Sequence, residues 1–264
     1  MKTFIVDSFT DVPFRGNPAG VCLIGRDLPS GTMLLVAQEL GLSETAFVRI
    51  DTDPVRIRYF SPVMEIPLCG HATLAAARVV CNEANTDTVR FLTSQGIELP
   101  VDRSSDQLTM HFPRYEVSSA EAPAALQTAL GIDEIETAAY NEETRILMLV
   151  IESKQKLASL SPNFEQLRAS HDSINGVLVT AASTDDAFDF HSRYFWPWSG
   201  TNEDPVTGGT HTFLAPYWAE RLGKNRLKSF QSSARTGFMD VEVGDHGLKI
   251  TGQAVVILSG QMHL

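Results

Sequence analysis

Apolar and polar residues alternate along Val55-Arg56-Ile57-Arg58-Tyr59-Phe60 and along Leu108-Thr109-Met110-His111-Phe112, the two-residue period of a half-buried strand. Residues 241–243 and 248–250 read the same way, with turns supplied by Gly96, Gly237 and Asp245-His246-Gly247. Residues 1–7 form a first strand. They lack the basic region and long apolar run of a signal peptide. Helical spacing appears at 34–40, stopped by Gly41, and in the Ala- and Leu-rich run 73–80. It returns at 212–222, with Pro216 inside and Gly223 as the stop. The last two helices are apolar nearly all round, so each should be enclosed on most sides.

The chain also repeats itself. Arg58-Tyr59-Phe60-Ser61-Pro62 recurs as Arg193-Tyr194-Phe195-Trp196-Pro197. Shortly after each copy, Pro67-Leu68-Cys69-Gly70-His71-Ala72 is echoed by Pro205-Val206-Thr207-Gly208-Gly209-Thr210. Two matched blocks in one order point to a duplicated fold. The expected class is α+β: two pseudo-symmetric domains, each a curved, mostly antiparallel sheet around a central helix. Pro113, Ser118, Ser119 and Pro123 break the pattern, which places the domains at 1–115 and 116–253, with a final strand at 254–264 packing back on the first.

Composition narrows the partners. The 264 residues are 43% hydrophobic, enough for a substantial core. A formal net charge of -11 argues against nucleic acid or an anionic membrane as partner. Cys22, Cys69 and Cys81 have no metal-ligand spacing and suit a reducing compartment. No stretch approaches the roughly 18 apolar residues of a membrane span, so the expected location is the cytoplasm.

Candidate chemistry gathers at the two glycine turns. A helix N-terminus offers unpaired N–H groups and partial positive charge, and glycine lets an anion approach the backbone closely. His71 follows Gly70 directly, and Asp204 precedes Pro205; each can be read as structural (a satisfied histidine, a capping acid) or as part of a site. The absence of GxxxxGK[ST] and GxGxxG argues against a nucleotide phosphate. Glu44, read alone, is a surface acid at a helix end. Its apolar neighbours Leu42, Ala46, Phe47 and Val48 would raise its pKa, which suits proton transfer near neutrality. Tyr194, Trp196 and Trp198 could line a cleft or fill a core, and Arg15-Gly16-Asn17-Pro18 reads as a turn from which Asn17 reaches the site.

Four stretches together resemble the PhzF family: residues 7–21, Ser43-Glu44-Thr45-Ala46-Phe47, residues 67–74, and Glu203-Asp204-Pro205-Val206-Thr207-Gly208. The resemblance implies a fold like that of diaminopimelate epimerase, frequent dimerisation, and an isomerase that needs neither cofactor nor metal. It implies Glu44 as the acid/base moving a proton between carbons, with His71 and Asp204 orienting or polarising the substrate. It gives Ser43, Gly70, Gly208 and Gly209 the substrate carboxylate, in a cleft between the domains. The partner is then a small unsaturated or amino-bearing carboxylic acid. The family's usual second turn reads Gly-Ser-Ala-His; this chain has Gly208-Gly209-Thr210-His211, which loses a hydroxyl but keeps backbone donors.

Two rival readings stand beside this one. Related two-base racemases carry a cysteine at each glycine turn, but Thr207 here is too weak an acid to mirror Cys69. A dehydratase or epimerase using Cys69 alone is a further option, set against a plain buried cysteine. A non-catalytic metabolite-binding protein on the same fold would need only the backbone donors.

Overall fold

The computed structural model describes residues 1–183 and 187–264. The chain divides into two compact units, Met1–His111 with Lys249–Leu264, and Phe112–Leu248.

The first unit contains β1 (Lys2–Ser8), β2 (Asn17–Leu23), α1 (Ser30–Leu40), β3 (Glu44–Arg49), β4 (Val55–Phe60), β5 (Glu65–Ile66), α2 (Gly70–Ala84), β6 (Thr88–Thr93), β7 (Glu98–Ser104) and β8 (Gln107–Pro113). The second contains β9 (Ser118–Ser119), α3 (Ala124–Leu130), β10 (Thr137–Asn141), β11 (Ile146–Val150), α4 (Lys154–Ser159), α5 (Phe164–Ala169), β12 (Gly176–Ala182), β13 (Phe190–Trp196), β14 (Thr201–Asp204), α6 (His211–Leu222), β15 (Arg226–Gln231) and β16 (Gly237–Val243). The last strand, β17 (Gly247–Gln261), returns to pair antiparallel with β1.

In the first unit the pairings run β17, β1, β2, β3, β4, β6, β7, β8 and back to β17, which closes an eight-stranded barrel. Helix α2 packs against β1, β2, β3, β6 and β7, and every residue from His71 to Cys81 is buried. Its alanines keep it slender enough to be surrounded, and Asn85, left-handed at φ 50°, ends it by donating its N–H to Cys81 O. Arg78 is the one arginine in the buried run, and its guanidinium reaches Asp106. Helix α1 starts at Ser30, a turn earlier than the spacing predicts, directly after Pro29.

The second unit repeats the order. β10–β11 is antiparallel, β11–β12 parallel, β12–β13 antiparallel and β13–β15 parallel, as in β1–β2, β2–β3, β3–β4 and β4–β6. Helix α6 ends at Gly223 as expected (φ 66°), but it begins at His211 rather than at the glycines. Residues 208–210 instead form a tight turn, with the His211 N–H donating to Gly208 O at 3.1 Å. Pro216 removes the N–H that would serve the Thr212 carbonyl, and the Tyr115 N–H takes its place at 2.9 Å.

The repeated Arg-Tyr-Phe block has a physical cause. Arg58 in β4 grips Glu65 of β5 through two nitrogens at 2.9 and 2.6 Å, and Arg193 in β13 grips Glu203 of β14 at 2.7 and 2.8 Å. Each guanidinium also lies over its own phenylalanine, Phe60 at 5.2 Å and Phe195 at 4.8 Å. The motif thus locks the short strand that leads into each glycine turn. No helix among the described residues is long and apolar enough to cross a membrane.

Candidate active site

Gly41, left-handed at φ 64°, ends α1 and delivers the chain into β3, whose first residue is Glu44. Because β3 packs against both α1 and α2, it is buried on both faces, and Glu44 is only 8% exposed. It is therefore not the surface acid of the local reading. Its Oε2 lies 3.1 Å from Nε2 of His71, the second residue of α2.

Five further residues surround that pair or hold its backbone. Ser8 Oγ–H donates to His71 O at 2.8 Å, and the Asn17 side-chain amide meets His71 Nδ1 at 3.3 Å. Asn17 opens β2 and is fully buried, so the second half of the predicted turn at 15–18 is strand, and the tight turn lies at 12–15, where the Arg15 N–H donates to Val12 O at 3.4 Å. At φ +68° a Cβ on Gly16 would stand 2.1 Å from Ser8 O, and only glycine lets the loop double back to bring Asn17 under the ring. Cys69 Sγ lies 3.5 Å from Nδ1 and 3.9 Å from Nε2. The Tyr59 and Thr73 hydroxyls meet at 2.6 Å, and Thr73 Oγ1–H donates to Cys69 O at 2.7 Å, which ties the first turn of α2 to β4. Helix geometry leaves the N–H groups at Gly70 and His71 without partners four residues back.

The electrostatics correct the sequence reading. Burial pushes the Glu44 carboxyl up, but the hydrogen bond and charge of His71, with a smaller part from Ser43, outweigh it and hold the group below its usual value. Burial remains the largest single influence on the carboxyl, but it is outweighed by the His71 and Ser43 contributions together. Burial works against a charged His71 as well, yet Cys69 and Glu44 together hold it well above the ordinary histidine value. Of the two, Cys69 raises His71 more and Glu44 less, while burial keeps the Cys69 thiol itself raised. Glu44, Cys69 and His71 thus form one coupled buried cluster in which the carboxyl is held low and the imidazole high. Ser43 Oγ is buried beside this pair and makes no full hydrogen bond among the described residues. Donor atoms of Glu44, Cys69 and His71 all lie within 4.8 Å of one another, close enough to hold a metal ion.

The second unit holds the other predicted residues in its own network. Asp204 ends β14 and caps no helix; it accepts the Thr207 hydroxyl and lies opposite Tyr194. Gln231 donates to Asp204 O at 2.7 Å and accepts the Thr207 N–H at 2.9 Å. His211 Nδ1–H donates to Thr207 O at 3.1 Å, while Nε2 accepts from Ser229 Oγ at 2.7 Å. Burial drives His211 down to about 4, so the ring is neutral. Gly208 and Gly209 are carried on this pinned turn, and a Cβ on Gly209 would meet nothing within 4 Å. The sequence shows His211 in its turn motif but gives it no role, and it gives no signal for Gln231, which strand β15 brings to the turn from farther along the chain. Trp198 donates its indole N–H to His171 O at 2.6 Å and packs on the α3–α5 core, and Tyr194 is buried beside Trp196.

Register makes the repeat unequal where it matters. Thr45 pairs with Phe60, and Val177 pairs with Phe195, so the residues preceding them, Glu44 and Gly176, are equivalent. A Cβ on Gly176 would lie 2.6 Å from the Tyr194 ring, which fills that place. The blocks that match Gly70-His71 with Gly208-Gly209 likewise put glycine where His71 stands.

Comparison with known proteins agrees with this architecture. The family model described as phenazine biosynthesis-like protein, PhzC-PhzF, matches residues 6–260. The chain is 43% identical to an uncharacterized isomerase of Pseudomonas aeruginosa, across 100% of this chain and 99% of that protein. It is 36% identical to an uncharacterized isomerase of Halalkalibacterium halodurans, across 99% and 98% of the two. A PhzF-family phenazine biosynthesis protein of Enterococcus faecalis superposes with a TM-score of 0.93 at 36% identity, covering 100% and 99% of the chains. A probable proline racemase of Agrobacterium radiobacter shares the fold, with a TM-score of 0.63 at 11% identity over 100% and 93%. The α+β architecture of the diaminopimelate epimerase type and the match along nearly the whole chain lead to one assignment: the chain belongs to the PhzC-PhzF family of phenazine biosynthesis-like proteins.

Proposed function

We propose that the protein is an isomerase that moves a proton between two carbons of a small carboxylic acid, with Glu44 as its single proton carrier. The observation that carries this reading is the buried Glu44–His71 pair, 3.1 Å apart at the N-terminus of the enclosed helix α2 and without a carboxylate counterpart at Gly176. The two relatives named as isomerases support the reaction class.

Each group has a part. The Gly70 and His71 N–H groups and the helix dipole favour a bound carboxylate. Glu44 rests as the carboxylate, so it can accept a proton without first losing one. The arriving substrate anion raises its proton affinity by like-charge repulsion, which offsets the lowering imposed by His71. Glu44 takes the activated C–H proton, becomes the neutral acid, and returns the proton to a second carbon. His71, as imidazolium, stabilises the negative charge that the substrate develops. The family resemblance assigns Asp204 to orientation and Gly208 and Gly209 to carboxylate recognition, and these roles are part of the same proposal.

A reaction based on the Cys69 thiol has less support, because burial raises that thiol and leaves it protonated. The test is deuterium uptake from D2O into a panel of small carboxylic acids, read by mass spectrometry with wild type and Glu44→Gln. Uptake abolished by Glu44→Gln upholds the proposal; uptake that survives it but is lost in Cys69→Ala refutes it.

A further inference from the structure

We infer that Glu44, Cys69 and His71 also form an inhibitory binding site for a thiophilic divalent cation of the zinc class. The donor set is one carboxylate, one thiol and one imidazole, the three ligand types zinc takes in proteins, leaving a fourth position open. All three residues are buried, and their donor atoms lie within 4.8 Å of one another.

Two edges of the ligand triangle are already near the right length. Zinc bonds of the usual lengths at tetrahedral angles separate an imidazole nitrogen from a carboxylate oxygen by about 3.3 Å, and from a thiolate sulfur by about 3.6 Å. Here His71 Nε2 lies 3.1 Å from Glu44 Oε2 and 3.9 Å from Cys69 Sγ. The third edge, from sulfur to carboxylate oxygen, lies within 4.8 Å, against about 3.6 Å in a closed site.

The surroundings suit a ligand histidine. A metal-bound imidazole is normally held at its other nitrogen by a hydrogen-bonding group. Asn17 Nδ2 lies 3.3 Å from His71 Nδ1, and a half-turn of that amide would present its oxygen to accept the Nδ1–H that a Nε2-bound ring carries. The backbone on both sides is fixed as well, Ser8 on His71 O and Thr73 on Cys69 O. Binding exchanges protons only: the cation displaces the Cys69 S–H proton and the His71 Nε2 proton, and no electrons move. The site stands on geometry alone. Its inhibitory consequence rests on the proton-transfer reading, because a cation on Glu44 removes the lone pair that accepts the substrate proton.

Cobalt(II) is the probe, since thiolate ligation gives a charge-transfer band that needs no substrate to read. Metal-stripped wild-type protein titrated with Co2+ in the absence of oxygen should develop one equivalent of thiolate-to-cobalt absorption, competed away by Zn2+. Cys69→Ala should lose that band. Glu44→Gln should keep it but bind at least ~100-fold more weakly, given that even outer partners of a metal site are worth 10–100-fold. Cys69→Ser and unchanged circular dichroism separate loss of the ligand from loss of the fold. Absence of the band, or its persistence in Cys69→Ala, overturns the site. A band together with undiminished deuterium exchange at saturating Zn2+ overturns the inhibition while leaving the site intact. Exchange that never depended on Glu44 fails the catalytic reading instead.

Discussion

Glu44 and Gly176 are the same position in two copies of one strand. Each immediately precedes the residue that pairs with the phenylalanine of an Arg-Tyr-Phe block, Thr45 with Phe60 and Val177 with Phe195. One copy carries a carboxylate held by His71, and the other carries a glycine whose missing side chain is replaced by the Tyr194 ring. The duplication that built the fold therefore left one buried carboxylate at this position rather than two.

Glu44→Gln keeps the size of the side chain and can still accept a hydrogen bond from His71, so folding should survive. Turnover should fall by about 10³-fold, the usual scale for a lost general acid/base. Steady-state kinetics beside a thermal melt check this, and a loss of turnover accompanied by collapse of the melting transition would count against a chemical role.

The two glycines at the unequal positions should respond differently. Gly176→Ala drives a methyl into Tyr194 and should cost about 1–3 kcal/mol of stability, as overpacking does. Gly209→Ser enters open space and should stay within ~0.5 kcal/mol of wild type. Urea denaturation of both variants reads the contrast.

The two arginine clamps should also differ. Side chains of the Arg193–Glu203 pair are 10% and 17% exposed, and Arg193 additionally donates to the Leu157 and Leu160 carbonyls. Those of Arg58–Glu65 are 27% and 26% exposed. Glu203→Gln should therefore cost about 3 kcal/mol, and Glu65→Gln about 1 kcal/mol, since water screens the second pair more. Equal losses in denaturant would contradict the ranking.

His211 gives a pH signature. Folding holds it neutral down to about pH 4, whereas the unfolded chain takes up the proton near pH 6.5. Between those values the unfolded state binds more protons, so stability falls as pH falls, by about 3 kcal/mol over the full window. Above pH 6.5 the contribution is complete and flat. His211→Gln should lose stability at pH 7 and close most of that gap at pH 4, as measured by chemical denaturation at both values.

Much of the fold was legible because its signals are local. Strand alternation located β4 and β8, helical spacing located α2, and the doubled Arg-Tyr-Phe block revealed the repeat. Glu44, His71 and Asn17 could be singled out in the sequence, but their meeting depends on β3, α2 and the return of the chain at Gly16. Strand register, which spacing does not encode, was needed to see that Gly176 answers Glu44. The direction of the Glu44 shift is not legible for a related reason: burial does push the carboxyl up, but the group that outweighs burial, His71, comes from another element. The tight turn at residues 208–210, which sets the start of α6 at His211, is held by Thr207 and His211 rather than by the glycines alone.

The most direct test of a single carrier follows the fate of the proton itself. The carboxylic acid identified by the exchange screen, deuterated at the carbon that loses hydrogen, is converted in ordinary water under single-turnover conditions. If Glu44 both removes and returns the proton, part of the deuterium should reappear at the second carbon of the product, and none should be transferred by Glu44→Gln. Complete washout of the label in wild type, with protium at the accepting carbon, would mean that a second group delivers the proton and would contradict the account.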